Sequence, residues 1–273
     1  MTAFFTTGDG TTLHYLDRGS GYPVAFVHGG QLGAAMWEYQ MVPLASQGLR
    51  CIAYDRRGCG RSEHPWHGYD ADTLADDLAA LMDHLDLHGV TLVGHSQGCA
   101  NIARYLSRHG SDRVARAALI APTTPFLLKT PDHPAGIDGA VFAAMIAALH
   151  QDRPRFTAEL AGPFFGIGLP SVSVSPELVQ WGIGLALNAS PRAVIEMTRT
   201  FAETDFRPDM AAFTMPTFVI HGIADQTTPF DLCGKGTAAL IPGSVLRAYD
   251  SGHGLFITEK DRLNRDLLTF IRG

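Results

Sequence analysis

The chain has 273 residues, 46% of them hydrophobic and 18% charged, with 21 basic against 27 acidic side chains. A domain of this size buries about 75% of its unfolded surface, so the length requires no disulfide or metal staple and the composition excludes wholesale disorder. A net charge of −6 excludes the basic footprint of a general nucleic-acid binder.

The opening MTAFFTTGDGTT has no basic n-region, its first Arg or Lys being Arg18, so no signal peptide is expected. The uncharged stretch 160–176 holds Pro163, Pro170 and Pro176 and cannot make a spanning helix. Cys51, Cys59, Cys99 and Cys233 are scattered, without the paired spacing of a zinc site, and read as free thiols of a reducing compartment. A cytoplasmic protein with no membrane partner is expected.

In chain order, 3–7 and 11–17 read as a strand pair turning at Gly8-Asp9-Gly10. Short apolar runs follow at 23–28, 49–54, 90–95, 114–121, 217–221 and 245–249, each in the style of a buried strand. Helical patterns lie between them. The clearest is 72–87, where Leu74, Leu78, Leu81 and Leu85 share one face; 101–109 and 262–271 are others. Strands alternating with helices predict an α/β fold with a mostly parallel sheet, its N-terminal hairpin adding an antiparallel edge. Residues 123–206 break the rhythm. They carry helical patches at 140–150, 177–187 and 192–203 and little strand character. The expected organisation is therefore a core of 1–122 and 207–273 with a helical cap, 123–206, inserted in it.

Gly94-His95-Ser96-Gln97-Gly98 is G-x-S-x-G, placed where the apolar run 90–93 meets a helical pattern. That context predicts a strand–turn–helix elbow, with Ser96 at positive φ and the glycines admitting close approach of strand and helix. A serine hydroxyl needs a base held by an acid. His253, in Ser-Gly-His-Gly just after the last strand, is the expected base, and Asp225, after the strand 217–221, the expected acid; Asp231 is the fallback. The backbone N–H of Gln97 at the helix start and that of Gly30, on the loop after 23–28, are the expected oxyanion donors. His28 and His221 close strands and read as structural, and Cys99 reads as helix packing.

These residues occur together with Met36-Trp37-Glu38-Tyr39-Gln40, with the stretch from Asp55 to Ser62, and with the stretch from Phe201 to Met210. In combination they resemble the α/β-hydrolase superfamily, and within it the bacterial aryl-esterase and cofactor-free haloperoxidase-like branch. The resemblance covers nearly the whole chain. It implies an eight-stranded sheet, a Ser96–His253–Asp225 triad, and an oxyanion hole from Gly30 and Gln97. It also implies structural roles for the Asp55–Ser62 turn and the Phe201–Met210 link. The chain departs at Gly30-Gln31, where relatives carry an aromatic residue and then Leu or Pro, and at Gln97, where Met is common. Relatives strong in peracid formation tend to carry a proline in that loop, and none occurs here between Gly29 and Val42.

The expected activity is hydrolysis of small carboxylic esters, aryl or alkyl, through an acyl-enzyme, with no metal or organic cofactor. Lactones and amides (lactams included) share every catalytic part and remain alternatives. Perhydrolase or haloperoxidase side activity and a noncatalytic ligand-binding module are weaker ones. A serine nucleophile excludes the aspartate-dependent dehalogenases and epoxide hydrolases of this architecture. Phe142, Phe164, Trp181 and Phe201 are candidates for an acyl pocket. Gln31, Phe126 and Leu127 join them because their loops should face the site. A homo-oligomer stays open.

Overall fold

The computed structural model describes residues 2–273. Eight strands, β1 (Thr2–Thr6), β2 (Thr12–Arg18), β3 (Tyr22–Val27), β4 (Leu49–Tyr54), β5 (Val90–His95), β6 (Val114–Ile120), β7 (Thr217–Gly222) and β8 (Val245–Tyr249), form one sheet. Its order is β1-β2-β4-β3-β5-β6-β7-β8. β1 and β2 pair antiparallel, as do β2 and β4; every pairing from β4 through β8 is parallel. β5 and β7 are buried along their whole length, as expected of strands covered on both faces.

Helices α1 (Glu38–Ser46), α2 (Ala71–His84), α3 (Gln97–His109), α4 (Gly139–Phe165), α5 (Pro176–Leu187), α6 (Pro191–Glu203), α7 (Gly236–Leu240), α8 (Leu255–Thr258) and α9 (Lys260–Arg272) complete the architecture. Two apolar cores result. One, behind α2 and α3, gathers Leu74, Leu78, Leu81, Ile102 and Leu106 against the sheet. The other, behind α1 and α9, gathers Leu44, Leu263, Leu267 and Ile271. α2 begins where Asp70 accepts the Thr73 N–H (2.9 Å), an N-cap. α3 begins four residues before the sequence pattern suggests, because Gly98, a poor helix former, hides its first turn. α1 is absent from the sequence reading, since Pro43 sits inside it and argues against a helix.

α4, α5 and α6 occupy the interval between β6 and β7. α4 continues 15 residues past the patch read from the sequence and is kinked at Asp152 (φ −158°, ψ 81°). There Asp152 accepts the Arg155 N–H (3.0 Å) and acts as the cap of a second helical segment, with Pro154 in its first turn where no N–H is needed.

Candidate active site

β5 ends directly in Ser96, which has φ 54° and ψ −121°, and α3 starts at the next residue. Such a conformation persists only where the surroundings over-determine it. Here the Ser96 N–H donates to the Ile120 carbonyl (2.9 Å), and its own carbonyl accepts from Cys99 N–H (2.9 Å) and the Thr123 hydroxyl (3.3 Å). The flanking glycines are required by space. A Cβ on Gly98 would collide with the Val27 carbonyl oxygen, and one on Gly94 would lie 2.8 Å from Ile102 Cδ1 and 2.9 Å from Cys99 N. Gly98→Ala is therefore expected to cost at least about 2 kcal/mol, since the clash is with backbone that cannot yield. Urea unfolding measures it, and an unchanged midpoint would contradict the close approach.

His253 lies on the loop between β8 and α8 and is 1% exposed. Its Nδ1 lies 2.6 Å from Asp225 Oδ2. Asp225, on the turn after β7, is held from the other side: its Oδ1 accepts the N–H groups of Thr227 (2.8 Å) and Thr228 (2.9 Å). The Thr228 hydroxyl lies 3.0 Å from Asp225 Oδ2 and 3.2 Å from His253 Nδ1. Burial opposes the charge on Asp225, but attraction to His253 and hydrogen bonds from His221 and His253 outweigh it and hold the carboxyl far below the usual carboxylate range. His221 Nε2–H is shared between the Thr228 carbonyl (2.7 Å) and Asp225 Oδ2 (3.2 Å).

The loop after β3 carries Gly30 at φ 39°. The wholly buried Arg56 guanidinium donates to the Gly30 carbonyl (2.5 Å) and so fixes that peptide. His28 accepts the Arg56 N–H at Nε2 (3.0 Å), a structural placement. Cys99 is buried, its thiol pushed well above its ordinary range by that burial. Asp231 is exposed and pairs with Lys235 (2.6 Å), while His253 Nδ1 meets Asp225.

One cavity of about 160 Å³ brings these pieces together. Gly29, Gly30, Ser96, Gln97 and His253 line one side, with Gln31, Leu32, His95 and Thr227. Met145, Leu149, Phe156, Thr157, Leu160, Ala161, Phe164 and Phe165 of α4, Gly182, Ile183 and Ala186 of α5, and Val194, Met197 and Thr198 of α6 line the other. Of the pocket candidates from the sequence, Gln31 and Phe164 are in this wall.

The other five are not. Phe126 stacks on His133 (5.3 Å) beneath the Arg207 guanidinium. Leu127 is buried where its carbonyl accepts the Ile137 N–H (2.7 Å). Phe142 is one turn beyond Met145 on the same helix and partly exposed. Trp181 turns edge-on to Tyr39 (5.8 Å), leaving its neighbours Gly182 and Ile183 at the cavity. Phe201 is one turn past Met197 and Thr198, stacked on Phe206 and under Arg56. The helices supply the wall, but with different turns from those their aromatic content suggests.

His95 escaped the sequence reading because a histidine inside an elbow has no local signature. It is fully buried against Trp37, Phe164, Phe256 and His253. Its Nε2 donates to the His253 carbonyl (3.0 Å), tying the loop of His253 to the elbow. Burial, followed by the proximity of His253, holds His95 well below the ordinary imidazole range, and burial with Arg56 lowers His28 to about 3. Both stay neutral in the folded chain while their unfolded counterparts take up protons below about pH 6.5. Stability rises with pH where the unfolded state binds more protons, so these groups make the fold progressively less stable as pH falls from about 6.5 toward 3. The Tm is expected to drop between about pH 6.5 and 4, and His95→Phe to flatten that slope. Calorimetry at constant ionic strength decides it, a flat Tm being the contrary result.

Among the described residues no helix is long and apolar enough to cross a membrane. The sequence profile of the alpha/beta hydrolase fold family matches residues 22–260. A non-heme haloperoxidase of Rhodococcus erythropolis is 39% identical over 272 residues, 99% of each chain. A bifunctional esterase/perhydrolase of Acinetobacter calcoaceticus is 37% identical over 276 residues, again 99% of each. The crystal structure of a bromoperoxidase from Bacillus anthracis superposes with a TM-score of 0.95 at 36% identity, covering 100% of both chains.

Proposed function

Because the chain belongs to the alpha/beta hydrolase fold family, we propose that it is a serine hydrolase cleaving small carboxylic esters through Ser96, His253 and Asp225. The observation that carries this reading is that His253, hydrogen-bonded to Asp225 (2.6 Å), lines the same cavity as Ser96. A relative named as an esterase/perhydrolase, similar along its whole length, supports it.

In this reading His253 Nε2 takes the Ser96 proton as the hydroxyl oxygen attacks the ester carbonyl. Asp225 keeps the other ring proton on Nδ1 and stabilises the imidazolium. The negative charge on the carbonyl oxygen meets the Gln97 N–H at the start of α3, where the helix dipole favours it, and the Gly30 N–H. The alcohol leaves with the proton from His253. Water, deprotonated by the same ring, then attacks the acyl-enzyme and releases the acid. We take 123–206 as the cap that shapes the acyl site and keeps bulk water from it.

A fluorophosphonate tests the reading directly. It should label Ser96 in the wild type and not in Ser96→Ala, and a panel of aryl and alkyl esters should show saturable turnover. Absence of both labelling and turnover would leave a binding module instead. Lactones and amides belong in the same panel, as the triad serves them equally and only the cavity discriminates.

A further inference from the structure

Resting on the ester-hydrolase reading, we propose that Arg56 is a positioning residue of the oxyanion hole, holding two successive peptides of the Gly29–Gln31 loop and so aiming the Gly30 N–H. The need arises from the sequence. Residue 30 has no side chain, and a Cβ built there would meet nothing within 4 Å. Its φ of 39° is one that glycine reaches freely and leaves as freely. Side-chain packing at this residue cannot fix the loop, so hydrogen bonds to its carbonyls must do so.

The first peptide is held through His28. The Arg56 N–H can only donate, so His28 Nε2, 3.0 Å away, is the acceptor. Buried and held neutral, the ring carries its one proton on Nδ1, which lies 3.2 Å from the Gly29 carbonyl oxygen and donates to it. The Leu32 N–H donates to the same oxygen (3.1 Å). Across a trans peptide such as 29–30 the C=O and N–H point in opposite directions. With the Gly29 carbonyl drawn to His28 and Leu32, the Gly30 N–H points away from both and donates to no group among the described residues. Gly29 and Gly30 line the cavity together with Ser96 and Gln97. The second peptide is held directly, by the Arg56 guanidinium on the Gly30 carbonyl (2.5 Å).

The burial of Arg56 shows that its reason is not the fold. Its guanidinium is wholly buried, and Nε and Nη1 have no hydrogen-bond partner among the described residues. The neighbouring carboxylates are engaged elsewhere, Asp55 with His14 (2.7 Å) and Asp77 with Arg57 (2.6 Å). The Phe201 ring lies under the guanidinium at 5.5 Å but supplies no counter-charge. A buried cation without a counter-ion works against folding, and an apolar residue of similar length is neutral or stabilising in its place.

The test is Arg56→Met, which keeps the length of the side chain and removes its donors. Tm should stay within about 5 °C of the wild type or rise. On an aryl hexanoate, kcat and kcat/KM should fall together by about tenfold or more, the signature of a contact made only in the transition state. A trifluoromethyl hexyl ketone supplies the second readout. Ser96 Oγ adds to its carbonyl carbon, the hydroxyl proton passes to His253, and the oxygen left negative needs the same donors. Its Ki should rise by a similar factor. Arg56→Lys, which keeps a cationic donor, should recover at least about threefold of the lost kcat. Turnover of Arg56→Met within about threefold of wild type, a lower kcat without weaker binding of the ketone, or no recovery in Arg56→Lys would overturn the assignment. So would a Tm lowered by more than about 5 °C in Arg56→Met, since Arg56 would then serve the fold. All four results leave the esterase reading intact. No turnover of any ester by the wild type, together with no fluorophosphonate labelling of Ser96, would overturn both.

Discussion

Ser96→Ala is expected to lower kcat on any ester substrate by about four to six orders of magnitude, with KM changed much less. The size follows from what is lost. In the proposed mechanism alanine removes the atom that forms the acyl-enzyme, while the backbone donors at Gly30 and Gln97 stay in place and sustain only residual catalysis. Folding should survive, because Ser96 is held through its backbone, by Ile120, Cys99 and Thr123. The positive φ of 54° is tolerated by alanine no worse than by serine. The variant should therefore keep its Tm within a few degrees and still bind a product acid. Turnover within about a hundredfold of wild type, with no contaminating esterase, would assign the nucleophile elsewhere.

Asp225→Asn is expected to lower kcat by about 10⁴-fold, and for a reason visible in the site. The two backbone N–H groups of Thr227 and Thr228 both point at Oδ1. They will hold the remaining oxygen of asparagine there and leave its NH₂ on the side now occupied by Oδ2, 2.6 Å from His253 Nδ1. An NH₂ in that position needs Nδ1 as an acceptor, which puts the ring proton on Nε2. His253 then cannot accept the Ser96 proton. Steady-state kinetics on an aryl ester measures the loss, with circular dichroism and Tm as checks on folding. A loss under about tenfold would mean that Asp225 serves the fold rather than the base.

How far each feature could be read in advance depended on the range of the forces behind it. The elbow was legible because its constraint is local: Gly94 and Gly98 are demanded by contacts a few residues away or one strand over. The strands were legible within a residue or so, since an apolar run between turn residues has few alternatives. Asp225 and His253 could be picked out because each follows a strand at the same end of a parallel sheet, and chain order limits which loops meet there. α1 was not legible, as Pro43 contradicts a local helix signal that its packing against α9 and β4 overrides. Nor was His95, whose burial among four rings and hydrogen bond to the His253 carbonyl join residues 158 apart.

By itself, then, the sequence determined the alternation of strands and helices, the elbow, and the short list of side chains proposed here for nucleophilic chemistry. Spacing, turn residues and composition act over a few positions and leave little freedom. Tertiary structure alone decided the walls of the cavity. Met145, Leu149, Met197 and Thr198 line it, while Phe142 and Phe201 lie one turn too far along the same helices. Which turn of a helix meets a cavity is set by how the helix packs on distant elements, and in α4 also by the kink at Asp152. Aromatic content says nothing about that placement.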